Sequence, residues 1–223
     1  MSAYAVMWSG GKDSALALWR ARQRGLDVRW LVTVYDSATE RVRFHATPMP
    51  AIARQVRAAR CDLVSVPTTW EGFDAALAAT LAALRRAGCT GLVFGDIHLA
   101  DVRAWYEERT RAAGLEHVEP LWDDDPAALL AEFVAIGGRA VLTCVERTKL
   151  DISWLGRTID EDFVRDVATL AIDPCGENGE YHSFTFAGPF FARPIAWRLG
   201  GRRDDGRFAQ VEVLDAVEAA SPR

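Results

Sequence analysis

Over residues 4–120, short apolar runs alternate with segments of helical length, which restricts the chain to a sheet built from strand–helix–strand units. Tyr4–Trp8, Val28–Tyr35, Leu63–Val66, Gly91–Phe94 and His117–Pro120 read as strands. Ala15–Arg24, Pro50–Arg60, Phe73–Arg86 and Asp101–Ala113 read as the helices between them, with Gly25, Gly88 and Gly114 as stops. Strands joined through helices pair in parallel, and a parallel sheet needs helices over both faces. The pattern predicts an α/β domain over residues 1–122, Rossmann-like in style. Its ligands would bind at the carboxyl ends of the strands, where strand order reverses.

Beyond Trp122 the character changes. Asp123-Asp124-Asp125-Pro126 reads as a linker that caps a helix over Ala127–Ile136. Ala140–Val145 is strand-like and Ile159–Leu170 helical. Phe184–Phe186, Ile195–Arg198 and Phe208–Val213 read as further strands. This predicts a smaller C-terminal α+β domain over residues 123–223, suited to binding an acceptor.

Composition narrows the function classes. The 223 residues are 50% hydrophobic and 26% charged, a balance that favours a packed core over disorder. The net charge of −5 lacks the broad cationic footprint that binds phosphate backbones, which argues against nucleic acid as the main partner. Arg198, Arg202 and Arg203 form a local basic group, read as a solvated turn. Met1-Ser2-Ala3-Tyr4 opens no basic-then-apolar leader, and no apolar run nears the roughly 20 residues of a membrane span. The expectation is a cytoplasmic protein with no membrane partner, and a homodimer on base rates for such enzymes. Cys61, Cys89, Cys144 and Cys175 are scattered without a CxxC pair, so reduced, mostly buried thiols are expected rather than zinc or a redox centre.

Ser9-Gly10-Gly11-Lys12-Asp13-Ser14 falls between the first strand and the first helix. There backbone N–H groups converge and the helix dipole favours an anion. Two glycines let the backbone approach phosphate oxygens, Ser9 and Ser14 add hydroxyl donors, and Lys12 adds a point charge. Asp13 is placed to hold Mg²⁺ or to position a ligand. An ordinary strand-to-helix turn would need the glycines but not the whole set. The order Lys-Asp excludes a Walker A loop, and the spacing excludes GxGxxG.

A second segment, Asp173-Pro174-Cys175-Gly176-Glu177-Asn178-Gly179-Glu180-Tyr181-His182-Ser183-Phe184, has no hydrophobic period. Its carboxylates, amide, phenol and imidazole can orient an acceptor, hold ammonia or move protons. On local chemistry alone it reads equally well as a glycine turn with a solvated polar tip. His98 and His182 are acid–base candidates in predicted loops, whereas His117 beside a strand reads as structural.

The first segment resembles the SGGxDS signature of PP-loop ATP pyrophosphatases, a HUP-type fold. The second resembles the GE(G/N)GE(Y/F) signature of the diphthine–ammonia ligase family. Phe44-His45-Ala46-Thr47-Pro48 is similar to that family's FHTP stretch, and Gly95-Asp96-Ile97, Arg103, Glu107 and Pro120-Leu121-Trp122 match further family positions. The resemblance runs from the N-terminus to about Pro194. It implies that ATP and Mg²⁺ are bound by Ser9, Gly10, Gly11, Lys12, Asp13 and Ser14, with Asp13 on the metal, and that His45, Gly95 and Asp96 line the nucleotide cleft. It places Arg103, Glu107, Glu177, Asn178, Gly179, Glu180, Tyr181 and His182 at the acceptor or ammonia site, with Lys12, Asp13, Glu177 and Glu180 catalytic. The implied reaction adenylates a carboxylate or amide oxygen, releases pyrophosphate and forms an amide with ammonia.

Where diphthamide-pathway ligases carry a Ser and a Tyr-Gln pair after the fourth strand, this chain has Leu99, Asp101 and Val102, and His182 and Ser183 follow Tyr181. Those departures resemble a bacterial-type branch and leave the acceptor open, small-molecule or protein-borne. Two other readings stand beside the ligase. One is a PP-loop tRNA-modifying or sulfur-transfer enzyme, which usually needs paired cysteines or an RNA-binding domain. The other is a nucleotide-binding protein without turnover.

Overall fold

The structure, a computed structural model, describes residues 2–43 and 45–216. Phe44, part of the FHTP-like stretch, and Met1 lie outside the described residues. In chain order the first half holds β1 (Ala3–Met7), α1 (Lys12–Gln23), β2 (Asp27–Asp36), β3 (Arg41–Val42), α2 (Met49–Ala59), β4 (Asp62–Thr68), α3 (Phe73–Arg86), β5 (Cys89–Val93), α4 (Ala100–Ala112) and β6 (Glu116–Val118). The second half holds α5 (Pro126–Ala135), β7 (Arg139–Glu146), β8 (Thr158–Ile159), α6 (Glu161–Val167), β9 (Tyr181–Ala187), β10 (Arg198–Asp204) and β11 (Phe208–Leu214), with a 3₁₀ turn at Ile152–Trp154.

β4, β2, β1, β5 and β6 pair in that order, all parallel, as the strand–helix alternation requires. The exception is β3, a two-residue strand antiparallel to β2 that sequence periodicity could not reveal. Along β1 the side chains alternate between two cores. Tyr4, Val6 and Trp8 pack with α1 and α2, while Ala5 packs with α3 residues Leu77, Leu81 and Leu84. Both faces are covered, so a buried central strand can be apolar throughout. The chain leaves β1 toward β2 and β4, then returns to lay β5 on β1's other edge. That reversal opens a crevice at the carboxyl ends of β1 and β5.

The second sheet is antiparallel, in the order β10-β11-β7-β8, with β9 on the other edge of β7. It meets the first half at the Ser9–Ser14 segment, where the Thr185 N–H of β9 donates to the Gly10 carbonyl at 2.9 Å.

Four expectations are corrected in detail. Lys12, Asp13 and Ser14 form the first turn of α1 rather than a loop before it, a position that favours acidic and hydroxyl side chains. The helix expected over Ile159–Leu170 starts only at Glu161, because Asp160 caps it by accepting from the Phe163 N–H at 2.9 Å, and Ile159 belongs to β8. Tyr181 and His182 open β9 instead of lying in a loop. The strand expected at Ile195–Arg198 begins at Arg198, so Arg198, Arg202 and Arg203 lie on β10 rather than on a turn. This strand is an exposed sheet edge, where no buried face imposes an alternating pattern. Among the described residues no helix is long and apolar enough to cross a membrane.

Candidate functional site

The crevice above β1 and β5 is a cleft of about 530 Å³, within the range of small-molecule sites. Its polar lining is Ser9, Lys12, Asp13, Ser14, Gly95, Asp96 and Glu177. Its apolar and aromatic lining includes Val34, Val42, Phe73, Phe94 and Tyr106. Tyr181, His182 and His45 close the side facing the second sheet. Residues from the two sequence segments, far apart in the chain, therefore share one cavity.

Gly10 has a φ of +83°, and a Cβ there would lie 2.6 Å from Gln55 Oε1 and 2.8 Å from Ile52 Cδ1. Only glycine allows the loop to turn so close against α2. Gln55, fully buried, fixes the loop from below. Its Nε2 donates to the Gly10 carbonyl at 2.9 Å and the Thr185 carbonyl at 2.8 Å, and its Oε1 accepts from Trp8 Nε1 at 3.0 Å. Gly95 serves the opposite wall. A Cβ would meet the Asp13 and Ser14 backbone at 3.0 Å, so its absence lets the segment after β5 press against the first turn of α1.

α1 begins at Gly11 with no side-chain cap, leaving its positive dipole end toward the cleft. Lys12 is 2% exposed, and its ammonium lies 2.8 Å from both Asp13 oxygens and donates to the Cys175 carbonyl. Burial works against this charge, but Asp13, together with the Tyr181 and Cys175 side chains, holds the Lys12 proton well above the usual range. The Lys12 N–H donates to Ser183 Oγ at 3.2 Å, a tie from the loop to β9.

The second segment turns on Gly176 and Gly179 and brings Glu177 over the cleft. Glu177 Oε1 accepts from the Ile97 N–H at 3.0 Å, joining the two walls. Burial, then the Asp13 charge, push its carboxyl up to about 7. Burial, reinforced by Glu119, pushes Asp96 up to about 6. The His45 and His182 rings contact each other, tilted by 44° with centroids 4.6 Å apart. Burial lowers His45 to about 4 and His182 well below its ordinary value, and the nearby Lys12 charge adds to both, so both rings are neutral at neutral pH.

Other sequence-selected residues lie outside this cavity. Glu180 is 4% exposed and braces the loop from beneath, accepting from the Asp173 N–H at 3.3 Å. Asn178 is exposed, its carbonyl accepting from Lys149 Nζ at 2.6 Å. Gly179 supplies the turn, with φ +83°. On α4, Val102 and Tyr106 face the cleft, so Arg103 and Glu107, one residue on, are rotated about 100° away. Arg103 instead reaches Glu119 at 2.9 Å, with its guanidinium 4.3 Å from the Trp122 ring centre, and Glu107 pairs with Arg111 at 2.7 Å. His98 sits 2.6 Å from Asp173, which holds its proton more firmly than usual. His117 stacks on Phe94 and contacts Glu119 at 2.8 Å, a structural position.

Sequence reasoning missed Gln55, Ser183, Arg43 and Trp70. Gln55 had a readable signal, since it interrupts the buried stripe Ala51, Ile52, Val56, Ala59 of α2, and a polar residue on a buried face is informative.

Glu177 carries a pH-dependent stability signature. Its carboxyl, raised from 4.5 to about 7, makes the folded state prefer the protonated form. That contribution is intact below pH 4.5 and is lost as pH rises through about 7. Glu177→Gln keeps an oxygen for the Ile97 N–H and removes the charge. It should stabilise the fold by about 2 kcal/mol at pH 8 and by almost nothing at pH 4.5. Denaturant melts at the two pH values check this, and an equal effect at both would contradict it.

The N-terminal model of diphthamide synthase matches residues 2–117, and the C-terminal model of the same synthase matches residues 125–204. No curated protein matches the sequence. Two solved structures align over nearly the whole chain at low similarity. A predicted subunit of tRNA methyltransferase from Methanocaldococcus jannaschii is 12% identical with a TM-score of 0.41, covering 96% of this chain and 97% of its own. A pyruvate carboxylase from Rhizobium etli is 9% identical with a TM-score of 0.34, covering 99% of this chain and 24% of its own. With both halves matched in order, the chain belongs to the diphthamide synthase family, enzymes of the PP-loop class.

Proposed function

We propose that this chain is an ATP-dependent ligase that adenylates a carboxylate oxygen and then forms an amide with ammonia. The observation that carries the reading is that the phosphate loop and the Glu177 loop face each other across one cleft. Residues 1–122 supply the nucleotide side and residues 123–223 the acceptor side. The uncapped start of α1 and the Lys12 ammonium hold the triphosphate. The acceptor oxygen attacks the α-phosphorus, the bond to the bridging oxygen breaks, and pyrophosphate leaves. Ammonia then attacks the acyl carbon, AMP departs, and the nitrogen gives up a proton. Glu177, near half-ionised at neutral pH, is placed to take it.

Mg²⁺ fits this site only in part through protein ligands. Among the described residues no group of three metal-ligating side chains converges, but Asp13 and Asp96 both line the cleft. One or two carboxylates plus phosphate oxygens and water is the usual environment of this ion. When bound it would neutralise triphosphate charge, and Asp13 and Asp96 would hold it.

Ligation is favoured over sulfur transfer by the thiols. Cys144 and Cys175 are buried, and burial raises Cys144 to about 11 and Cys175 further, leaving little thiolate. The test is a new amide carrying ¹⁵N from ammonium, formed from a metabolite extract in proportion to AMP. Amide formation without ATP, or AMP without amide, would contradict the reading.

A further inference from the structure

Trp70 is the most exposed large hydrophobic residue among those described, at 69%, yet it lines the cleft. It follows β4 directly, and β4 neighbours β2, so the indole stands at the carboxyl end of the sheet. Single exposed hydrophobic residues are common, but an exposed indole in a cleft wall offers a ligand a broad apolar face whose covering is favourable. Arg43 adjoins it in the same wall, with its guanidinium 5.1 Å from the ring centre. That guanidinium is held by contacts to the Thr68 carbonyl at 3.4 Å and Asp36 at 3.9 Å, and Arg43 Nε is buried without a partner among the described residues. Phe73 and Val34 continue the apolar wall beside them.

The cleft thus combines the glycines and buried cation of the Ser9–Ser14 loop after β1 with planar aromatic and guanidinium groups beside the end of β4, two strands away. A ligand matching both must carry an anionic chain on one side and a flat aromatic group on the other. Resting on the ATP reading, we propose that Trp70 is the stacking platform for the nucleotide base, with Arg43 steadying the ring. Trp70 then contributes to base binding and not to phosphate binding. This separates it from the loop residues, which act on the phosphates whatever base they carry.

Calorimetric titration of the full chain with Mg·ATP and with Mg·tripolyphosphate, which has no base, tests the assignment. Base–aromatic stacking sets the scale, and Trp70→Ala should raise the Kd for ATP by about 10-fold or more. Trp70→Phe, which keeps a ring, should raise it by less than about 3-fold. Tripolyphosphate affinity should stay within about 2-fold in both, because an exposed site tolerates truncation without disturbing the fold. ATP affinity unchanged in Trp70→Ala would overturn the assignment and leave the ATP reading standing. Equal loss for ATP and tripolyphosphate would overturn it in favour of a general structural role. Failure of the unaltered chain to bind either ligand would remove the ATP reading and this assignment together.

Discussion

Lys12→Met is expected to lower acceptor-dependent pyrophosphate release by about 100-fold or more, the scale of losing one preorganised electrostatic group in a water-poor site. Lys12 is the cation at the start of α1, buried to 2% exposure, with burial opposing its charge and Asp13 sustaining it. A purely structural lysine needs no such expense, because a buried ion pair stabilises a fold little better than apolar residues of similar volume. Methionine keeps most of the stem volume. Asp13, left alone, has a side chain 29% exposed and stays in reach of water. The variant should therefore fold, which a thermal melt checks, while product release collapses. A loss below about 10-fold would reduce Lys12 to a strut between Asp13 and the Cys175 carbonyl.

Gly10→Ala should destabilise the loop before α1 on two separate grounds. The new methyl group would meet Gln55 Oε1 at 2.6 Å and Ile52 Cδ1 at 2.8 Å, at a φ of +83°. Neither neighbour can step aside easily, since Gln55 is fully buried and committed to three hydrogen bonds. The left-handed backbone costs about 1–2 kcal/mol and the overpacking about 1–3 kcal/mol. Together they should lower Tm by about 5–15 °C in a chain of this size. Gly25→Ala separates the two effects, because Gly25 has φ +78° with nothing within 4 Å of the added Cβ. It should show only the backbone cost, and equal losses in both variants would remove the collision from the explanation.

The parallel sheet was legible because each of its principal strands is an apolar run between helices, and Phe73–Arg86 matches α3 to the residue. β10 was illegible as drawn, since an exposed edge imposes no alternation and Gly200-Gly201 contributes no apolar side chain. At the site, local sequence placed Ser9–Ser14 after a strand but could not show that three of those residues begin the helix. Along α4 the resemblance selected Arg103 and Glu107, whereas the residues lining the cleft are their neighbours Val102 and Tyr106, a helix phase that motif matching does not carry. Tyr106 faces the cleft where Glu107 was expected. Gln55, Ser183 and Trp70 depend on long-range packing between α2, β9, the segment after β4 and the Ser9–Ser14 segment. Only the folded chain brings them together.

The central claim, chemistry at the α-phosphorus, is tested most directly by incubating the protein with Mg·ATP and ammonium, with and without a metabolite extract, and resolving the nucleotide products. The account predicts extract-dependent AMP and pyrophosphate in equal amounts. ADP and phosphate would contradict it, because they place the attack on the terminal phosphate.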